Sequence, residues 1–285
     1  MKQIDDIYDV YMNASIGPVQ NLRRFIAHQD YLNQRGYNLN LYMRDFSIKG
    51  EEGGAPIDFS RGLGFRSWLK HLFKKSRIAS VLWAKREQRM AEKLVKAYLE
   101  LNRDPDIVVF RSYNEIRYYL RHRRNNRAKV VMFHEDDGIR LKMQFESYPK
   151  LKGTRWERIN REEYESIDQI VDRNVFIAYK SKENFIKENP TIPNEHLVAF
   201  HNGIDNIPYE KAQRQSDFKY NLCISGTVCP RKGQYIIVDA LIKSTQEVRD
   251  KIHVTIIGQG SDFETLKTRV AENGLERNIL IFENN

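Results

Sequence analysis

The sequence predicts the α/β class, with two doubly wound domains each built on a parallel sheet. Three observations carry this. Short β-branched and aromatic runs alternate with segments of helical spacing along the chain, the pattern of βαβ units. Gly36, Pro105 and Pro190 stand where predicted helices stop or strands begin. The alternation breaks once, at the polar stretch "NIPYEKAQRQSD" (206–217), and then restarts. The expected domains are therefore 1–205 and 206–285.

In the first domain, "IDDIYDVYMN" (4–13) reads as a strand and "ASIGPVQ" (14–20) as a loop, with Pro18 suited to a first helical turn. Leu22, Phe25, Ile26 and Gln29 give "NLRRFIAHQDYLNQRGY" helical spacing, and Gly36 is a C-terminal stop. "NLNLYMRDF" (38–46) is a strand, 49–64 is Gly-rich and irregular, and 65–101 is helical. "PDIVVF" (105–110) and "KVVMFHEDD" (129–137) are strands around the helical "EIRYYLRHRR". A helix at "REEYESIDQIVDR", a strand at "NVFIAYKS", a short helix at "KENFIKENP" and a strand and turn at "HLVAFHNGID" complete it.

The second domain repeats the scheme. "FKYNLCISG" reads as a buried strand, "KGQYIIVDALIKSTQE" as a helix, "KIHVTIIGQG" as a strand, "SDFETLKTRVAENG" as a helix and "NILIFENN" as a strand. Three strands are fewer than the five or six of a doubly wound sheet. The second domain is expected to be incomplete, with an exposed edge.

Composition limits the function classes. The 285 residues are 41% hydrophobic and 30% charged, enough for two ordinary cores. No stretch approaches the roughly 18 apolar residues that a spanning helix needs. The N-terminal "MKQIDDIYDV" is acidic where a secretory signal is apolar, so a cytoplasmic protein is expected. The two cysteines, Cys223 and Cys229, suit a reducing compartment and read as small buried residues rather than metal ligands. The net charge is +9, and residues 61–129 hold 19 Lys or Arg against 6 Asp or Glu. That segment suits nucleic acid, an anionic membrane surface or phosphorylated substrates.

Open parallel sheets take ligands outside the carboxyl ends of their strands, so the strand ends are where chemistry is sought. "SGTVCPRKGQ" (225–234) places Arg231 and Lys232 between a strand and a helix. A helix N-terminus already favours negative charge, and two cations there point to an anion. Gly258 and Gly260 follow the next strand, half of a dinucleotide fingerprint. Together the two strand ends suit a diphosphate. His134 ends a strand in the first domain, placed to face a cleft and bind a polar substrate, and Gly17 opens a helix. Glu135, Asp136 and Asp137 follow His134, but consecutive residues point apart, so no metal site is predicted.

The order of these motifs resembles the family 4 glycosyltransferases of the two-domain GT-B fold. Asn202, Gly203, Ile204 and Asp205 match the family's closing turn of the first domain. Gly226, Lys232 and Gly233 match its strand–glycine–Lys-Gly–helix element, and Gly258 with Gly260 its next strand end. The resemblance implies two Rossmann-like domains and a retaining transfer from a nucleotide-diphosphate sugar, used as donor substrate with no cofactor. It implies His134 and Lys232 as catalytic residues, and Arg231, Lys232, Gly226 and Gly17 at the donor diphosphate. Gly258 and Gly260 fall at the nucleotide, and the acceptor is a polysaccharide or lipid-linked saccharide. Two departures stand out: Thr227 occupies a position that is often Arg in the family, and the family's Glu-x7-Glu element is expected further along than Asn285, where this sequence ends.

Two other readings use the same residues. A truncated relative would act as a non-catalytic binding or partner subunit. A nucleic-acid-binding protein would use "RYYLRHRRNNR", where aromatics and cations mix. Finally, "FRSWLKHLFKKSR" (65–77) is short, aromatic and basic. Trp68, Lys70, Lys74, Lys75 and Arg77 suit a helix lying at an anionic membrane surface, which makes peripheral attachment an expectation.

Overall fold

A computed structural model describes residues 1–8, 29–43, 76–201, 217–229, 232–260 and 262–283. The chain divides into two compact units, Met1–Ile204 and Asp205–Asn285.

In unit 1 the described elements run β1 (Lys2–Tyr8), α1 (Gln29–Gln34), β2 (Tyr37–Met43), α2 (Arg77–Glu100), β3 (Ile107–Phe110), α3 (Tyr113–His122) and β4 (Lys129–His134). They continue with α4 (Lys142–Ser147), α5 (Arg155–Ile170), β5 (Arg173–Phe176), α6 (Tyr179–Glu188) and β6 (Leu197–Ala199). All six strands are parallel, in the order β2-β1-β3-β4-β5-β6. The order reverses between β1 and β3, which makes that junction the topological switch point.

Local chemistry fixes the helix starts. The Ser76 hydroxyl accepts from the Ala79 N–H (3.4 Å), and the Thr154 hydroxyl accepts from the Glu157 N–H (3.2 Å). The Glu157 carboxylate reaches back to the Gly153 N–H (2.6 Å). The two hydroxyl contacts each satisfy a first-turn donor that the helix itself leaves unpaired, and the Glu157 contact pins the residue before the cap. α2 begins at Arg77, later than the long periodicity from 65 predicts; residues 65–75 lie outside the described residues. α4, which that periodicity does not predict, follows a left-handed Leu141. The unit 1 core joins Ile7, Val108, Phe110, Val130 and Met132 of the sheet to Val95 and Tyr98 of α2 and to Ile116, Trp156 and Ile167 of α3 and α5.

Unit 2 contains β7 (Tyr220–Ser225), α7 (Gln234–Lys243), α8 (Gln246–Arg249), β8 (Ile252–Ile257), α9 (Phe263–Glu272) and β9 (Ile279–Phe282). Its sheet is parallel, in the order β7-β8-β9. Val254 and Ile256 of the central strand are fully buried against Val238, Leu266 and Val270. The single helix expected over 232–247 is two, because α7 ends at Ser244 and Thr245 opens α8.

One expectation is corrected here. β7 is not a buried strand and its cysteine is not a buried residue: Leu222 is 42% exposed and Cys223 is exposed as well. Successive residues point to opposite faces, so both faces of β7 carry exposed side chains, although Ile224 packs on the unit 2 core. β7 is also the edge of its sheet, and its free side pairs with nothing among the described residues.

Candidate functional site

In unit 2 the site is built from two loops that follow adjacent parallel strands. Gly226 follows β7 and Gly258 follows β8, and the loops are tied by backbone bonds. The Gly226 N–H donates to the Ile257 carbonyl (2.9 Å) and the Val228 N–H to the Gln259 carbonyl (2.9 Å). This close approach explains two of the glycines. A Cβ on Gly258 would lie 2.0 Å from the Gly226 carbonyl oxygen, and one on Gly260 2.1 Å from that of Val228. Gly258 and Gly260 are thus required by loop-on-loop packing, whatever else passes near them.

Gly226 differs. Its φ is +142°, in the range that favours glycine, and a Cβ there would meet nothing within 4 Å. The space beside the β7 end is open. Beyond it, the Lys232 N–H donates to the Cys229 carbonyl (3.0 Å) and closes a turn. Gly233, left-handed at φ +77°, then caps α7 without a side-chain acceptor. The first-turn N–H groups of a helix lack intrahelical partners and carry its positive end. Gln234, at that first turn, is buried, its amide donating to the Thr227 carbonyl (3.1 Å). Its side-chain oxygen is buried without a hydrogen-bond partner. Lys232 is exposed and has no ion pair among the described residues. An open glycine backbone, an uncapped helix start and an exposed cation converge on one short loop, which is chemistry for an anion. Arg231 and Gly17 lie outside the described residues, as do Trp68, Lys70, Lys74 and Lys75; Arg77 is the first residue of α2.

In unit 1, His134 closes β4 as expected, but its ring does not face a cleft. It is 2% exposed, stacked on Phe176 at 4.5 Å and 8° and bordered by Phe185 and Tyr113. Its Nε2 sits 2.9 Å from Asn174 Oδ1. That amide donates in turn to the Asp168 carbonyl. The Asp168 carboxylate accepts from Arg140 (2.8 and 3.2 Å) and from the Tyr113 hydroxyl (2.9 Å). Burial pushes the Asp168 carboxyl up, with His134 and Arg140 opposing, and burial with the nearby Asp168 charge pushes the Tyr113 hydroxyl well up. The cage around His134 is a satisfied buried network, and a strand-end histidine in sequence carries no sign of it.

The sequence reading missed a second polar group in unit 1, at the switch point. Arg111, just past β3, donates to Asp6 of β1 (2.7 Å) and to Glu135 (3.3 Å), with its guanidinium 4.5 Å from the Phe133 ring. Burial raises the Asp6 carboxyl above its usual range, and Arg111 opposes the rise. Asp136 and Asp137, like Glu135, are engaged separately: Asp136 by the Gly138 N–H, Asp137 by the Ile139 N–H and Lys142. Among the described residues no three His, Cys, Asp or Glu side chains gather as a metal site.

No protein-family model and no curated protein matches the chain. Solved structures do. Anabaena HepE in complex with UDP-glucose aligns over 100% of this chain and 70% of its own, at 13% identity and TM-score 0.56. The catalytic domain of starch synthase IV from Arabidopsis thaliana, bound to ADP and acarbose, aligns over 100% and 74%, at 10% identity and TM-score 0.57. Sucrose-phosphate synthase from Thermosynechococcus elongatus aligns over 100% and 71%, at 9% identity and TM-score 0.60. The fold of this chain, a six-stranded and a three-stranded parallel sheet with helices, is that of GT-B glycosyltransferases.

Proposed function

We propose that the protein is a glycosyltransferase that takes a sugar from a nucleotide-diphosphate donor and passes it, with retention, to a polysaccharide or lipid-linked acceptor at the cytoplasmic membrane face. The observation that carries this is the β7–α7 loop. Gly226, the start of α7 and Lys232 provide an open backbone, N–H donors and a cation in a fold whose solved relatives hold UDP-glucose or ADP.

In this reading the donor diphosphate lies along the β7–α7 loop, with the α7 N-terminus and Lys232 on its oxygens. As the bond from sugar to diphosphate breaks, negative charge grows on the leaving group. A cation already in position stabilises that charge more than it stabilises the ground state. Arg231 adds a second positive charge. Gly258 and Gly260 act by letting the β8 loop close on the β7 loop, which shapes the nucleotide side of the site. His134 is a positioning residue that fixes the end of β4 through Asn174 and Phe176. The acceptor belongs to unit 1, whose switch point carries Arg111 between Asp6 and Glu135. No metal is required, and the donor is a substrate rather than a cofactor.

The test is turnover. UDP-, GDP- and ADP-sugars are offered with saccharide and lipid-linked acceptors, and the anomeric configuration of any product is read by NMR. A product with the donor's configuration is expected. Binding of nucleotide without transfer to any acceptor would instead favour a non-catalytic partner subunit, and an inverted product would remove retention.

A further inference from the structure

The exposed side of α2 in unit 1 gathers four cations in one row along the helix. Ile78, Leu82, Lys85, Arg89, Lys93 and Lys96 are all exposed, and at about 100° per residue they share an arc of roughly 80°. The buried residues of the helix, Ser80, Ala84, Ala91, Leu94, Val95 and Tyr98, lie on the opposite side. The exposed row runs about 27 Å along the surface, at 1.5 Å per residue.

Two features separate this row from an ordinary solvated helix face. The first is its charge. Some surface cations elsewhere are held by carboxylates, as Lys129 is by Asp172, Arg161 by Glu157 and Arg269 by Asp239, but none of the four in this row is. Lys85, Arg89, Lys93 and Lys96 have no ion pair among the described residues. Glu92, on the flank of the row, is turned to Arg117, and Arg86 lies over the Trp83 ring. The one acid in the row is Glu100, at its far end. The second feature is the apolar lead. Ile78 is 74% exposed and Leu82 60%, side by side in the first two turns of the helix.

We infer that this face of α2 docks on an anionic lipid surface, with Ile78 and Leu82 entering the headgroup layer and the four cations lying over lipid phosphates. Charge complementarity selects the partner. Unpaired cations in a long row suit a continuous plane of negative charge, and two aliphatic side chains suit a surface with an apolar interior. Nucleic acid would use the charge but not Ile78 and Leu82. No helix among the described residues is long and apolar enough to cross a membrane; the contact inferred for α2 is with the lipid surface. The inference rests on the membrane-face part of the proposed function and not on its chemistry.

The experiment is sedimentation of the 285-residue chain with phosphatidylcholine vesicles, with and without about 30 mol % phosphatidylglycerol, at low and at physiological salt. Donor and acceptor are absent, so the result is separable from transferase activity. Three proteins are compared: the parent, the fourfold variant K85Q/R89Q/K93Q/K96Q, and the pair I78S/L82S. The parent should bind only the anionic vesicles. The fourfold variant should lose at least about a hundredfold in partition, near fivefold per cation, and the pair should lose severalfold without becoming less salt-sensitive. All six positions are exposed, so thermal melting and circular dichroism should match the parent. A parent that ignores anionic vesicles at low salt overturns the inference, as does a fourfold variant that still sediments. So does a parent that passes over vesicles but binds a mixed-sequence single-stranded oligonucleotide, with that binding lost in the fourfold variant.

Discussion

Two strand ends look alike in sequence and differ in space. His134 ends β4 and Lys232 follows the end of β7, each a polar residue where an open sheet takes its ligand. His134 is sealed in, with Phe176 on one face and Asn174 on its Nε2. Lys232 stands exposed beside an uncapped helix start. The difference comes from the surrounding layers. β4 is an inner strand between β3 and β5 with helices packed on it, whereas β7 is the edge of its sheet and exposes side chains on both faces. A polar side chain inside a covered sheet must find internal partners, and it then belongs to stability. One beside an uncovered edge is left free of internal partners and open to solvent.

The comparison can be broken first at the network around His134. Asp168→Ala leaves the Arg140 guanidinium buried without its carboxylate, and losing one partner of such a pair costs about 3–5 kcal/mol. Hydrogen exchange of the β4 and β5 amides should accelerate accordingly, while unit 2 amides are unchanged. Equal loss of protection in both units would mean that the network is not local to unit 1.

A second test contrasts the glycines of the other strand end. Gly258→Ala meets the Gly226 carbonyl and takes on a strained φ, so about 3–5 kcal/mol of unit 2 stability should be lost. Gly226→Ala meets open space and carries only the backbone strain, about 1–3 kcal/mol. If the two cost the same, loop packing does not explain Gly258.

His134→Ala comes next, at about 2–3 kcal/mol in stability from the lost ring packing and hydrogen bond. Because the ring is buried, nucleotide affinity should not move. A fall in UDP affinity with unchanged stability would restore a substrate-contacting role to this histidine.

The fold was legible because its periodicities are local. Alternating strands and helices, Gly36 as a stop and the glycines after β7 and β8 are each decided within a few residues. The interior of unit 1 was not. Asp5 and Asp6 sit in β1 as a polar pair inside an apolar run. Asp5 takes the Tyr98 hydroxyl (2.8 Å) and Asp6 the Arg111 guanidinium, partners about a hundred positions away. The cage of His134 likewise draws on Asn174 and Asp168. Long-range partners leave no spacing signal, so a buried network and a cleft histidine look the same in a single sequence. The exposure of Cys223 was hidden for a related reason, because "YNLCI" reads the same whether or not its faces are covered. In the candidate site, the position of Lys232 before a helix was readable. That Gly258 and Gly260 pack against the β7 loop was not.

The central claim is that the β7–α7 loop holds the diphosphate of a nucleotide. Titration calorimetry with UDP and GDP on the parent and on Lys232→Ala tests it most directly. The account predicts binding by the parent and a loss of about 1.5–3 kcal/mol in the variant, the size of one charge-assisted contact, with melting temperature unchanged because Lys232 is exposed. Equal affinity in parent and variant would contradict it.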